Sequence, residues 1–113
     1  MDGINWADEL GVAITVSDNS GKILYMNGKS ASTFAKQGGK SLEGTNLSNC
    51  HKPESWMKIL EILETGKANC YTIEKNGAKK LIYQAPWFKD GITAGLVELS
   101  MEIPFSMSHF VRS

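Results

Sequence analysis

Residues 13–34, AITVSDNSGKILYMNGKSASTF, decide the fold. Residues 12–17 read Val-Ala-Ile-Thr-Val-Ser, and β-branched side chains of this kind suit a pleated strand. Asp18-Asn19-Ser20-Gly21 follows, four turn formers in succession. Residues 22–27, Lys-Ile-Leu-Tyr-Met-Asn, form a second strand, and two strands joined by a short glycine-containing turn make a hairpin. Residues 28–36 then suit a short helix that turns Ala31, Phe34 and Ala35 to one side.

The reading extends outward from this unit. Upstream, Ile4, Trp6, Ala7 and Leu10 have helical spacing, so residues 1–11 are expected as a short helix or loose N-terminal cap. Downstream, residues 37–44 hold three glycines and read as a loop or broken helical turn, and residues 45–52 gather Asn46, Asn49, Cys50 and His51 around Leu47. Pro53 opens the clearest helix, because the N–H that proline lacks would be unpaired at that position anyway. Trp56, Ile59, Leu60 and Leu63 form its apolar stripe, Met57 and Ile62 widen it, and Gly66 stops it.

Three strands complete the chain. Residues 68–75 and 79–88 flank Asn76-Gly77, a strong hairpin signal, and Lys89-Asp90-Gly91 turns into a long last strand over 92–103. Pro86 is expected at an edge or bulge. Pro104 ends the strand, and residues 105–113 form a patternless tail or linker stub. Strands first and last with helices between them predict an α+β domain over 1–104, a five-stranded antiparallel sheet with helices on one face.

Composition narrows the function. The 113 residues are 42% hydrophobic and 21% charged, which suits one globular domain burying roughly two-thirds of its unfolded surface. Lys plus Arg and Asp plus Glu number 12 each, so neither the basic excess of a nucleic-acid binder nor a polybasic membrane anchor is present. No apolar run reaches the ~18–20 residues that span a bilayer, and Met1-Asp2-Gly3-Ile4-Asn5 lacks the features of a signal peptide, so the expected location is the cytoplasm. Cys50 and Cys70 form no metal knuckle and are expected as free, mostly buried thiols.

The order of elements resembles the PAS sensor domain. Asp18, Gly21, Asn27 and Phe34 occupy that family's characteristic places in the opening hairpin and helix, "SLEGTNL" resembles its Leu-x-Gly-x-x-Leu segment, and Gly77, Pro86, Asp90, Gly91 and Gly95 match its last hairpin and strand. The resemblance covers roughly residues 4–103. "NLSNCHKPESWMKILEIL" is similar to a subgroup with Cys-His-Pro-Pro before the long helix, with Lys52 departing from that pattern. The resemblance implies a PAS-like fold, a sensory or interaction role, a small cavity between helices and sheet, and a homodimer formed through the outer sheet face and the N-terminal cap.

His51 is the residue with most chemistry: it is placed to ligate haem iron, contact a ligand carboxylate or cap a carbonyl. Met57 is a conceivable second iron ligand, although a methionine on an apolar stripe usually packs in the core. Cys50 departs from the Asn-Cys-Arg-Phe pattern of photosensing flavin domains, which leaves only non-covalent flavin open. Gly38-Gly39-Lys40-Ser41 lacks the spacing of a phosphate loop, and no Ser-His-Asp arrangement is evident. By strand alternation, Tyr71, Ile73, Leu81, Tyr83, Val97 and Leu99 are assigned to the helix-covered face, and Leu96 and Ile14 to the outer one. The expected ligand-binding set is Asn46, Leu47, His51, Trp56, Ile59, Leu60, Tyr71, Ile73, Tyr83, Val97 and Leu99. The expected function is a sensory module for a small-molecule ligand or protein partner, signalling through dimer rearrangement; the alternatives are a ligand-free dimerisation module and a haem sensor using His51.

Overall fold

The computed structural model describes residues 3–49 and 51–113. Its opening hairpin pairs β1 (Ala13–Ser17) with β2 (Ile23–Met26). Asp18 Oδ1 fixes the turn by accepting hydrogen bonds from the Ser20 amide, the Ser20 hydroxyl and the Lys22 amide. Gly21 is required at its tip: φ is +91°, and a Cβ there would stand 2.5 Å from the Trp56 ring.

Asn27 carries the chain from β2 into α1 (Gly28–Thr33). Its Oδ1 accepts from the Ser30 amide, capping the helix, and from the Ile14 amide on β1. The helix ends earlier than expected and is followed by a 3₁₀ turn over Ala35–Gln37, with further turns at Gly39–Leu42 and Leu47–Asn49. The second helix, α2 (Pro53–Thr65), has the expected bounds, with Pro53 in its first turn and Gly66 in the left-handed conformation at its end. Its buried stripe is narrower than expected. Ile59 and Ile62 are fully buried and Trp56 and Leu63 pack beside them, but Met57 and Leu60 lie on the exposed side. Ile59 and Ile62 join Ile23, Met26, Leu47 and Leu96 in one core.

The remaining strands are β3 (Asn69–Lys75), β4 (Ala78–Lys89) and β5 (Ile92–Ile103), giving a fully antiparallel sheet in the order β2-β1-β5-β4-β3. Both later hairpins turn through two residues of positive φ, Asn76-Gly77 and Asp90-Gly91, whose twist matches that of the strands. Pro86 lies beyond the end of β3, where β4 has only β5 beside it, and a bulge follows at Trp87 and Phe88.

Register fixes the two faces. Thr15 faces the helices, because its hydroxyl meets that of Ser30 at 2.6 Å. Glu98 stands opposite Thr15, Gln84 opposite Glu98 and Asn69 opposite Gln84, so these four form one row on the helix-covered face. Ala13, Ser100, Ile82 and Tyr71 form the next row. Ile14, Leu99, Tyr83 and Cys70 form a row on the outer face, as do Val16, Val97 and Ala85.

This overturns part of the alternation reading. Tyr71 and Ile73 lie on the helix-covered face as expected, but Leu81, Tyr83, Val97 and Leu99 lie on the outer face. Leu96, expected outside, is 1% exposed in the core. Cys70 is an exposed thiol rather than a buried one, and Cys50 lies outside the described residues. The described N-terminal residues make turns rather than a helix, Trp6 is largely exposed, and residues 105–113 carry neither helix nor strand.

Candidate functional site

The polar row on the helix-covered face is the most chemically specific feature of the fold. Gln84 Nε2 donates to Glu98 Oε2 at 2.7 Å, and Asn69 Nδ2 donates to Gln84 Oε1 at 3.0 Å. His51 meets the row from above, with Nε2 3.8 Å from Glu98 Oε2. His51 Nδ1 lies 2.9 Å from the Leu47 carbonyl. A carbonyl only accepts, so Nδ1 carries the proton and Nε2 is the nitrogen that titrates. Side chains on β3, β4 and β5 are thereby linked to the segment leading into α2.

Charge follows this geometry. The Glu98 carboxylate raises the His51 pKa above its ordinary value against the opposing effect of burial, and the Leu47 carbonyl adds to the rise. Burial pushes Glu98 upward, but the His51 imidazole and the Gln84 amide outweigh it and hold the carboxyl below its usual range. Tyr71 is raised by burial first and by the Glu98 charge second.

Space around the row is unevenly divided. Toward the core, between Phe34, Leu42, Leu47 and His51, a cavity of about 10 Å³ remains, room for at most one water. On the same helix-covered face, away from α2, a cleft of about 140 Å³ runs from Thr33 and Phe34 across Ile82 and Ile73, with Glu98 at one part of its wall and Lys75 and Lys80 at another. A shallower depression of about 300 Å³ lies where Glu54, Ser55 and Lys58 of α2 face Asn69, Tyr71 and Gln84.

The expected ligand-binding residues divide accordingly. His51 and Leu47 line the small cavity, Ile73 the 140 Å³ cleft and Tyr71 the depression beside it. Ile59 is sealed in the core, and Trp56 packs over Gly21. Asn46 serves the backbone, donating to the Ser20 carbonyl and accepting from the Ser48 amide. Leu60 is exposed on the far side of α2, while Tyr83, Val97 and Leu99 are on the opposite face of the sheet. Glu98, Gln84, Asn69 and Lys80 were missed. Gln84 and Glu98 interrupt the apolar stretches "LIYQAPWF" and "GLVELSM", a signal that was present in the sequence.

Haem and flavin do not fit this arrangement. The interior cavity is far too small, His51 turns one nitrogen to a carbonyl and the other to a carboxylate, and neither larger cleft is lined by histidine. Met57 is 64% exposed, on neither the core nor the His51 side. Among the described residues no cluster of His, Cys, Asp and Glu is placed to hold a metal. Lys40 of the glycine-rich loop is paired with Glu43 at 2.9 Å and donates to the Met26 carbonyl. Among the described residues no helix is long and apolar enough to cross a membrane.

No protein-family model matches the sequence, and no curated protein matches it. Solved structures do. A sensory box sensor histidine kinase from Vibrio cholerae superimposes with a TM-score of 0.64 at 18% identity, over 87% of this chain and 86% of that one. The PAS domain of a Colwellia psychrerythraea protein gives 0.64 at 18%, over 86% and 90%. The Aer2 receptor from Vibrio cholerae, a dual PAS-haem oxygen sensor, gives 0.62 at 14%, over 82% and 95%. With the element order, sheet topology and helix placement described above, these superpositions establish that the chain has the PAS fold.

Proposed function

We propose that the chain is a sensory module whose signal is a small molecule held on the helix-covered face of the sheet. The observation that carries this reading is the row Asn69–Gln84–Glu98–His51 beside an accessible cleft. Burying an amide and a carboxylate costs more than burying aliphatic side chains of similar size. Such a row supplies oriented polar groups for recognition. His51 joins it to the segment before α2, so a ligand that favours one arrangement of Glu98 shifts that segment to the extent that its affinity differs between the two states.

The role is binding rather than catalysis. The titrating nitrogen of His51 faces Glu98 instead of the open cleft. Output passes to a second copy of the chain through the outer sheet face, where Tyr83 and Leu24 are 39% and 47% exposed, together with the N-terminal turns bearing Trp6. A ligand-free dimerisation module is the second reading, favoured by the nearly filled interior beneath α2.

A ¹⁵N-labelled sample titrated with mixtures of small metabolites, alongside light scattering, separates the two. A sensor gives saturable shifts at Ile73, Gln84 and Glu98, and at the same ligand concentrations the scattering or the outer-face amides of Leu24 and Tyr83 change. A dimer that no compound perturbs supports the second reading.

A further inference from the structure

The walls of the 140 Å³ cleft carry opposite charges at separated places, and from this we infer the class of ligand it takes: a small linear molecule with a terminal amine and a terminal carboxylate joined by a short apolar spacer. The inference rests on the sensory reading above and adds the chemistry of the signal.

Glu98 supplies the anionic side. Both the Gln84 amide and the His51 imidazole approach the same oxygen, Oε2. No hydrogen bond from a described residue reaches Oε1, and Glu98 lines the cleft. A carboxylate oxygen has room for further donors, and an ammonium is the donor that best matches its charge.

Lys80 and Lys75 supply the cationic side. Both line the same cleft, and neither forms an ion pair with a described residue. Glu102 stands opposite Lys80 in the register, yet the two do not come within ion-pair distance. The surface between the two charged places is mostly apolar, formed by Ala13, Ile82 and Ile73 with Phe34 above, and Ser100 opposite Ile82 adds an uncharged hydroxyl.

Register gives the span. Glu98 is opposite Gln84, and Lys80 lies four residues along β4 from Gln84. At about 3.4 Å per residue the two Cα positions are separated by roughly 13–14 Å along the strand. Strand side chains stand roughly perpendicular to the sheet, so the charged groups keep a separation of this order, of which a charge-assisted contact of about 2.8 Å at each end takes up part. The remainder suits a spacer of several methylenes, or an aromatic ring, better than an α-amino acid, whose two charges share one carbon. The volume is several times the ~30 Å³ that one water occupies, enough for a molecule of this size.

The test uses three probes of matched length on the full ¹⁵N-labelled chain: 6-aminohexanoate, hexanoate and hexylamine. The expected result is that 6-aminohexanoate shifts the amides of Ile73, Ile82, Glu98 and Ser100 saturably and binds at least about tenfold tighter than either singly charged probe. Glu98→Gln and Lys80→Met each remove that advantage, and Lys80→Met guards against Glu98→Gln failing to fold. Equal binding of hexanoate or hexylamine, or an unchanged affinity in either folded variant, overturns the assignment. If none of the three probes binds while another metabolite shifts the same amides, the ligand class is wrong and the sensory reading stands. If nothing perturbs the cleft, both fall.

Discussion

Glu98 Oε2 lies 3.8 Å from His51 Nε2, so one contact ties the central strand β5 to the segment leading into α2. Its pH dependence has a defined sign. His51 has a folded pKa above 6.5, so its contribution to stability is complete below the ordinary histidine value and is lost as pH rises through the raised one. Glu98 has a folded pKa below 4.5, so its contribution is complete above the ordinary value and is lost as pH falls through the lowered one. The pair therefore stabilises most between pH 4.5 and 6.5. Urea unfolding across pH 4–9 is expected to show a loss on the alkaline side that His51→Gln abolishes. Glu98→Gln should cost about 1–2 kcal/mol inside the window and less at alkaline pH. An alkaline limb that survives in His51→Gln would assign the effect elsewhere.

The backbone devices of this fold were legible because they depend on local chemistry. Asp18 to Gly21, Asn76-Gly77, Asp90-Gly91 and the Pro53 to Gly66 helix were all placed by residues whose preferences need no tertiary context. The faces of β4 and β5 were not, since Leu81-Ile82-Tyr83 and Leu96-Val97-Glu98-Leu99 put apolar residues on both sides. A two-residue turn at Asn76-Gly77 does oppose Tyr71 to Ile82, which sends Leu81 and Tyr83 outward. The same count from Asp90-Gly91 fails, because the bulge at Trp87 and Phe88 adds a residue to β5 and moves Leu99 from opposite Ile82 to opposite Tyr83. A slip of one residue exchanges the faces of a strand. The polar row is not legible in the sequence for the same reason, since Glu98 and Gln84 meet only in the true register.

Adjacent positions on α2 test the helix's orientation. Ile59 is 0% exposed and Leu60 is 39% exposed. Ile59→Ala should cost about 2–5 kcal/mol through lost burial and the cavity left behind. Leu60→Ala should cost under about 1 kcal/mol. Equal losses in denaturant titrations would mean that α2 is rotated from the orientation described.

Gly95 faces the tightest approach in the sheet. A Cβ there would stand 1.8 Å from the Ser17 carbonyl oxygen, which also accepts the Trp87 indole N–H at 2.9 Å. Backbone cannot yield as a flexible side chain does, so Gly95→Ala must separate β5 from the end of β1 or displace Trp87. The expected loss is on the order of 3 kcal/mol, with a change in Trp87 fluorescence. Gly66→Ala is the control: it has open space around its Cβ position and bears only the strain of its left-handed conformation, so its loss should be about 1 kcal/mol. Comparable losses in the two variants would remove the argument from close approach.

The Asn27 side chain makes four hydrogen bonds to three separate segments of the chain. Its Oδ1 accepts from the Ile14 and Ser30 amides at 2.9 Å each, and its Nδ2 donates to the Ala7 and Val12 carbonyls at 2.8 Å each. One amide thus caps α1, fastens β1 and holds the N-terminal turns against the sheet. Asn27 is 1% exposed, so replacing it strands partners that water cannot readily reach. Asn27→Ala is expected to cost about 3 kcal/mol or more. Asn27→Asp keeps the acceptor but loses both donated bonds and turns a carboxylate toward the Ala7 and Val12 carbonyls. It should therefore release the N-terminal turns while leaving the α1 cap in place. Hydrogen exchange separates these effects: Asn27→Ala should speed exchange at both Ile14 and Ser30, and Asn27→Asp should expose the amides of residues 8–10 while Ser30 stays protected. If the N-terminal amides and Ser30 lose protection together in both variants, the bonds act as one unit and the division of labour assigned to this side chain is wrong.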